Sequence, residues 1–163
     1  MTTSPIGFDK WGLEEPISTA IKERGWTEPT EIQVESVPHA RKGRDIVGQA
    51  RTGSGKTAAF GIPILEKCEV SGSIQAIILC PTRELAVQVS EELSILQGKK
   101  GLAIQTVYGG TDLEKQAKKL SEGTDIVVGT PGRVIDMSKR GHLNFDTVSL
   151  FCLDDADRMI VMV

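Results

Sequence analysis

Long hydrophobic runs are missing from this sequence: stretches such as the one around residues 77–80 fall far short of the about 20 residues that a membrane-spanning helix needs. Nor does the N-terminus carry a basic segment followed by an apolar one, so neither export nor anchoring is expected. Cysteine is sparse. Cys68, Cys80 and Cys152 are widely spaced, odd in number and without CxxC or Cys/His spacing, which excludes a disulfide framework and a structural zinc site. Cys80 and Cys152 sit inside apolar runs and read as small core residues in a reducing compartment, so a cytoplasmic location is expected. There is no basic excess either: 19 Lys and Arg face 22 Asp and Glu, for a net charge of -3. That balance argues against a wholesale polyanion binder and makes any nucleic-acid contact local. Aromatic residues make up only 4%, a mild departure from an otherwise ordinary globular composition of 39% hydrophobic and 25% charged residues. At 163 residues the chain has the length of one domain with a substantial core.

From residue 45 onwards, short β-branched runs alternate with helical patterns, which predicts repeated βαβ units and a parallel sheet. Five strands are expected, at residues 45–49, 74–80, 102–108, 125–129 and 148–153. Their apolar runs lack polar alternation, as when both faces of a sheet are covered. Leu85, Val89, Leu93 and Leu96 recur at helical spacing, Thr82 is placed to cap that helix and Gly98 to close it. Asp112 is placed to cap another helix running to about Leu120. Residues 1–44 read as a separate helical lead-in, with Ile17, Ala20 and Ile21 as one apolar stripe, a turn at Gly25 and a second helix from about Thr30. Residues 45–163 form the α/β core.

Within that core, Ala50-Arg51-Thr52-Gly53-Ser54-Gly55-Lys56-Thr57 follows an expected strand and opens an expected helix, the context a phosphate-binding loop requires. Glycines 53 and 55 let backbone N–H groups turn inward around phosphate oxygens, and the helix N-terminus adds its dipole. Lys56 would reach the β- and γ-phosphates, and Thr57 would offer its hydroxyl to Mg2+. Ala50 stands where the general pattern has Gly. Asp154 and Asp155 end the last apolar run, where a carboxylate can hold the metal and a second can orient or deprotonate an attacking water. Alternatively, these acids cap a following helix. His39 and His142 have no acidic or nucleophilic partner in sequence.

These elements, together with Pro81-Thr82-Arg83-Glu84-Leu85-Ala86, Gly109-Gly110, Thr130-Pro131-Gly132-Arg133 and Asp154-Asp155-Ala156-Asp157, come in the order and spacing of the DEAD-box ATP-dependent RNA helicases, which the chain resembles over nearly its whole length. Ala50 is what this family has. Phe8, Gly25-Trp26 and Pro29-Thr30 with Ile32-Gln33 are similar to its adenine-recognition element. The resemblance implies a RecA-like P-loop NTPase domain, three layers around a parallel sheet, with the helical extension building the adenine pocket. A glutamine suits adenine because its carboxamide can donate to N7 and accept from the N6 amino group, so Gln33 implies ATP over GTP. Phe8 would pack beside the base and Thr30 would support the turn. Taken alone, Phe8 and Trp26 read as core or helix-packing residues, and only the spacing shared with Gln33 lifts them.

For RNA, the resemblance points to residues 81–84, Gly109, Gly110 and residues 130–133, at strand ends that share one rim of a parallel sheet. Helix N-terminal amides, the Thr82 and Thr130 hydroxyls, glycine backbone, and Arg83 or Arg133 can together take sugar-phosphate oxygens without reading bases. Singly, Thr82 is also a helix cap, Gly109-Gly110 a turn and Pro131 a first-turn proline. The resemblance thus implies ATP and Mg2+ as cofactors, RNA as partner, and a second RecA-like domain that this chain does not contain.

Two departures qualify the transfer. The family has Glu where this chain has Asp155, and a carboxylate set back by about 1 Å costs on the order of a hundredfold in rate where positioning dominates. With the early end of the sequence, this makes a chain that holds ATP without turning it over, a non-catalytic ATP-dependent RNA-binding module, the alternative function. A GTP-using or DNA-directed P-loop protein is opposed by Gln33 and by the segments at 81–86 and 130–133. Second, the sequence ends six residues after Asp157, without the strand that in the family lies between the phosphate-loop strand and the acidic strand. Unwinding by this chain alone is not expected. The gap must be filled, either by the apolar tail at 159–163 or by strand exchange with a second copy.

Overall fold

The computed structural model describes residues 7–51, 53–155 and 158–162. The lead-in consists of a 3-10 turn, Phe8–Trp11, followed by α1 (Glu15–Glu23) and α2 (Glu31–Arg41). The core then alternates β1 (Ile46–Gln49), α3 (Lys56–Lys67), β2 (Ala76–Leu79), α4 (Arg83–Leu96), β3 (Ile104–Val107), α5 (Leu113–Ser121), β4 (Ile126–Gly129), α6 (Pro131–Lys139) and β5 (Leu150–Asp154). Each of the five expected strands forms. A sixth, β6 (Arg158–Met162), completes a sheet of order β1-β6-β5-β2-β4-β3.

Caps act where the sequence places them: Thr82 Oγ1 accepts from Leu85 N at 3.2 Å and Asp112 Oδ1 from Glu114 N at 2.9 Å. The strands from β5 to β3 are parallel neighbours, with Leu79 beside Leu153 on one side and Gly129 on the other. Against one face pack the helices of the lead-in with α3 and α4, in a core that joins Ile17, Ile21 and Val37 to Phe60, Leu65, Ile78 and Cys152. Helices α5 and α6 cover Ile77, Val107 and Val127 on the other face. Buried Asp125 ties loops to the sheet edge, accepting from Ser71 N at 3.0 Å, Gly72 N at 2.8 Å and Ala103 N at 2.8 Å.

The central gap is filled from within the chain. β6 runs antiparallel between β1 and β5, pairing Val161 with both Ile46 and Cys152. The wholly parallel sheet expected from βαβ repetition is therefore a mixed one, and the difference lies in this strand alone. Met159 and Val161 point into the core while Arg158 and Met162 face out. That alternation is why residues 158–162 form a strand here, and a slip of one residue would invert it. Gly48 on β1 makes room, since a Cβ there would lie 3.2 Å from Met159 Cε and 3.4 Å from Ile32 Cδ1. Asp155 N donates to Arg158 O at 2.9 Å and Asp154 pairs with Met159, so the next described element is a strand and not a helix that these acids would cap.

Candidate functional site

The loop after β1 carries the residues expected to bind phosphate. Ala50 is buried, and Gly53 and Gly55 both take φ +84°, a left-handed conformation that side-chain-bearing residues avoid. Ser54 N donates to Arg51 O at 3.1 Å, closing the turn. Gly55 caps α3, so that Lys56 and Thr57 occupy its first turn, where backbone amides lack partners within the helix. Thr52 lies outside the described residues. The arrangement presents amides, an ammonium and a hydroxyl at one helix N-terminus, a setting suited to anions.

Lys56 is buried and crosses to the end of β5. Its Nζ lies 2.7 Å from Asp154 Oδ1 and also donates to the carbonyl oxygen of Asp155. Asp154 is only 2% exposed, and burial pushes its carboxyl above the usual carboxylate range against the pull of Lys56, with the Asp155 charge adding to the upward push. Among the described residues, the Asp154 carboxylate receives nothing beyond the Lys56 contact at Oδ1. A buried carboxylate with so little compensation is what a divalent cation would satisfy. Among the described residues no group of three or more His, Cys, Asp or Glu could hold a metal. A cation here would therefore draw further ligands from water or phosphate, as Mg2+ commonly does. Asp155 is exposed.

The adenine-side residues converge on the same loop. Gln33 is buried in the first turn of α2. Its Oε1 accepts from Thr30 N at 3.0 Å and its Nε2 donates to Gly55 O at 3.0 Å. The carboxamide thereby fastens the lead-in to the phosphate loop, yet keeps one N–H and one lone pair, the pattern an adenine edge demands. Phe8 is buried against both tryptophans, edge-on to Trp11 with centroids 5.5 Å apart and stacked on Trp26 at 6.2 Å. The two readings of Phe8, core residue and pocket wall, thus hold together. One cleft of about 400 Å³ runs from Phe8 and Trp26 past Thr30 and Gln33 to Gly53, Gly55, Lys56, Thr57 and Asp154.

Leu85, Gln88 and Glu92 of α4 also line this cleft, a contribution the sequence reading missed. Their spacing puts them on one helix face, which is the only signal that identifies them. That signal is masked in sequence because Leu85 also fits the apolar stripe of α4.

The remaining candidates gather at one rim. β2, β4 and β3 are neighbours, so the segments leaving their C-terminal ends are brought side by side. Pro81, Thr82 and Arg83 are exposed, as are Gly109, Gly110, Pro131 and Gly132, while Thr130 and Arg133 are half-buried. The Arg83 guanidinium lies over the Tyr108 ring, 4.9 Å from its centroid. Arg133 Nη1 donates to Gln116 Oε1 at 3.1 Å and its Nη2 to Thr111 O at 3.2 Å, tying α6 to the turn that Gly109 and Gly110 begin. Thr130 N-caps α6 and Pro131 is its first residue. Two guanidinium groups, several glycines and two helix N-termini therefore share one exposed edge beside the cleft.

Residues 30–163 match the DEAD/DEAH box helicase family model. The chain is 46% identical over 156 residues to the DEAD-box ATP-dependent RNA helicase CshA of Geobacillus kaustophilus, covering 95% of this chain and 33% of that protein. CshA of Listeria monocytogenes is also 46% identical, with 30% of its length covered. The chain thus spans about a third of the length of these curated relatives. Among solved structures, a DEAD box protein from the hyperthermophile Methanococcus jannaschii superposes with a TM-score of 0.85 at 44% identity, over 92% of this chain and 41% of that one. A hypothetical ATP-dependent RNA helicase from Sulfolobus tokodaii superposes at 0.81 with 35% identity, over 88% and 42% of the two chains. Fold, cleft and sequence agree that this chain belongs to the DEAD/DEAH box helicase family.

Proposed function

We propose that this chain is the N-terminal, ATP-binding RecA-like domain of a DEAD-box RNA helicase, coupling ATP binding and hydrolysis to RNA binding and remodelling in a two-domain parent. The observation that carries the reading is one cleft lined both by Gln33, bonded to Gly55, and by Lys56, paired with Asp154. Gln33 offers adenine one donor and one acceptor, and Phe8 bounds the space beside the base. Amides around Gly53 and Gly55 and the Lys56 ammonium take the triphosphate charge. Thr57 and Asp154 would hold Mg2+, which when bound neutralises phosphate oxygens during transfer. Asp155 is assigned to orienting or deprotonating the attacking water.

RNA is assigned to the rim of Pro81, Thr82, Arg83, Gly109, Gly110, Thr130, Pro131, Gly132 and Arg133. Its amides, hydroxyls and guanidinium groups suit phosphate and sugar and carry no pattern for reading bases. A second RecA-like domain of the parent would complete both surfaces. Three buried free thiols support a cytoplasmic setting. Strand exchange through β6 would make the same hydrogen bonds between two copies that β6 makes within one, and the molecular mass in solution separates these arrangements.

The non-catalytic alternative draws on Asp155, an exposed carboxylate one methylene shorter than the family's Glu. RNA-stimulated phosphate release by the two-domain parent tests both readings. Release that depends on Lys56 and rises in Asp155→Glu supports catalysis slowed by a short side chain. Release at background in both proteins supports the binding module.

A further inference from the structure

The aromatic wall of the cleft is held from outside the nucleotide-binding segments. Arg24, the residue capping the end of α1, donates from Nη1 to Glu92 Oε1 on α4 at 2.7 Å. The same guanidinium lies over the Trp26 ring, 4.2 Å from its centroid. Trp26 in turn stacks on Phe8 with ring planes inclined by 20°. Backbone bonds from Trp26 N to Ile21 O at 3.2 Å and from Phe8 N to Thr27 O at 3.4 Å hold the main chain of this region. They leave ring orientation to side-chain contacts. A continuous path therefore runs from Glu92 through Arg24 and Trp26 to Phe8, and three of its members, Glu92, Trp26 and Phe8, line the cleft.

We infer that Arg24 and Glu92 form a positioning pair for the nucleotide base: by clamping Trp26, and through it Phe8, to α4, they set the plane beside which adenine stacks. The inference rests on the ATP-binding reading above and deepens it. Two physical features favour this pair over an ordinary surface ion pair. The side chains are 26% and 25% exposed, which shields the contact from the screening that makes exposed pairs nearly worthless. Arg24 also donates to a carboxylate while its guanidinium carbon lies over an indole, a pairing for which a planar guanidinium is better suited than an ammonium. Because the path ends on Phe8, the pair acts on the base end of the cleft and leaves the phosphate end, with Lys56 and Asp154, untouched.

Calorimetric titration of the full chain with Mg-ATP and with Mg-tripolyphosphate, a probe without a base, tests this. Arg24→Ala and Glu92→Ala are each expected to weaken Mg-ATP about tenfold, equivalent to about 1.4 kcal/mol, while Mg-tripolyphosphate affinity stays within about twofold. The double variant should be no worse than either single one, as for two residues acting through one contact. Arg24→Lys should recover part of the loss by keeping the charge. Retained tripolyphosphate binding also reports that each variant has folded. Mg-ATP affinity unchanged in both single variants overturns the inference, as does a parallel loss of tripolyphosphate, which would mark general electrostatics. If the wild-type chain binds Mg-ATP no more tightly than Mg-tripolyphosphate, the adenine reading itself fails and the positioning role with it.

Discussion

Gly53 and Gly55 offer a controlled comparison, because both hold φ +84° but differ in what surrounds them. A Cβ at Gly53 meets nothing within 4 Å, whereas one at Gly55 falls 2.5 Å from Gln33 Nε2, 2.7 Å from Thr30 Oγ1 and 3.0 Å from Thr30 Cγ2. Gly53→Ala should therefore cost only the left-handed penalty of about 1–2 kcal/mol. In Gly55→Ala the same penalty applies, and the Gln33 carboxamide must also move. That group is 1% exposed and bonded at both ends, so displacing it strands buried polar atoms at about 1–3 kcal/mol more. Urea unfolding should then show a loss of about 2–5 kcal/mol for Gly55→Ala, from the sum of these two costs. Its preference for ATP over GTP should also disappear, while Gly53→Ala keeps that preference. Equal destabilisation of the two variants, or an intact adenine preference in Gly55→Ala, would refute the claim that Gln33 couples base site and phosphate loop.

Three other outcomes follow from the packing. Val161→Asp puts a carboxylate where β6 is 2% exposed and should cost more than about 3 kcal/mol in chemical denaturation, whereas Met162→Asp, at a position 43% exposed, should fall within about 0.5 kcal/mol of wild type. Asp125→Ala leaves the amides of Ser71, Gly72 and Ala103 without their acceptor, and a drop of about 3 kcal/mol or more in unfolding free energy is expected. Burial pushes Cys68 and Cys80 up to about 12 and Cys152 well above the ordinary thiol range. Thiolate is therefore scarce at pH 8, and iodoacetamide should label the native chain far more slowly than the urea-unfolded chain, as mass spectrometry would record.

How much could be read in advance depended on whether a feature is local. The strands at 45–49 and 125–129 and the caps at Thr82 and Asp112 are set by short-range chemistry, and they stand where the sequence places them. The phosphate loop is equally local, since its glycines need φ above zero whatever the rest of the fold does. β6 lies between these cases. That a gap in the sheet must be filled follows from unpaired backbone groups, and the alternation from Met159 to Val161 supplies a candidate, but the antiparallel direction emerges only from its pairing with β1 and β5. What escaped altogether was long-range pairing. Arg24 and Glu92 are 68 residues apart, and nothing in either neighbourhood announces the other. Likewise, Gln33 stood out as a candidate adenine contact, but its bond to Gly55 O depends on how α2 docks beside the loop.

The central claim is that this chain carries an adenine-selective nucleotide site built on Gln33, Lys56 and Asp154, and calorimetric titration with Mg-ATP, Mg-ADP and Mg-GTP addresses it most directly, with Lys56→Ala alongside. The account predicts saturable binding of both adenine nucleotides, markedly weaker binding of Mg-GTP, and loss of Mg-ATP binding in Lys56→Ala. Equal affinity for Mg-GTP and Mg-ATP, or Mg-ATP binding undiminished by Lys56→Ala, would contradict it.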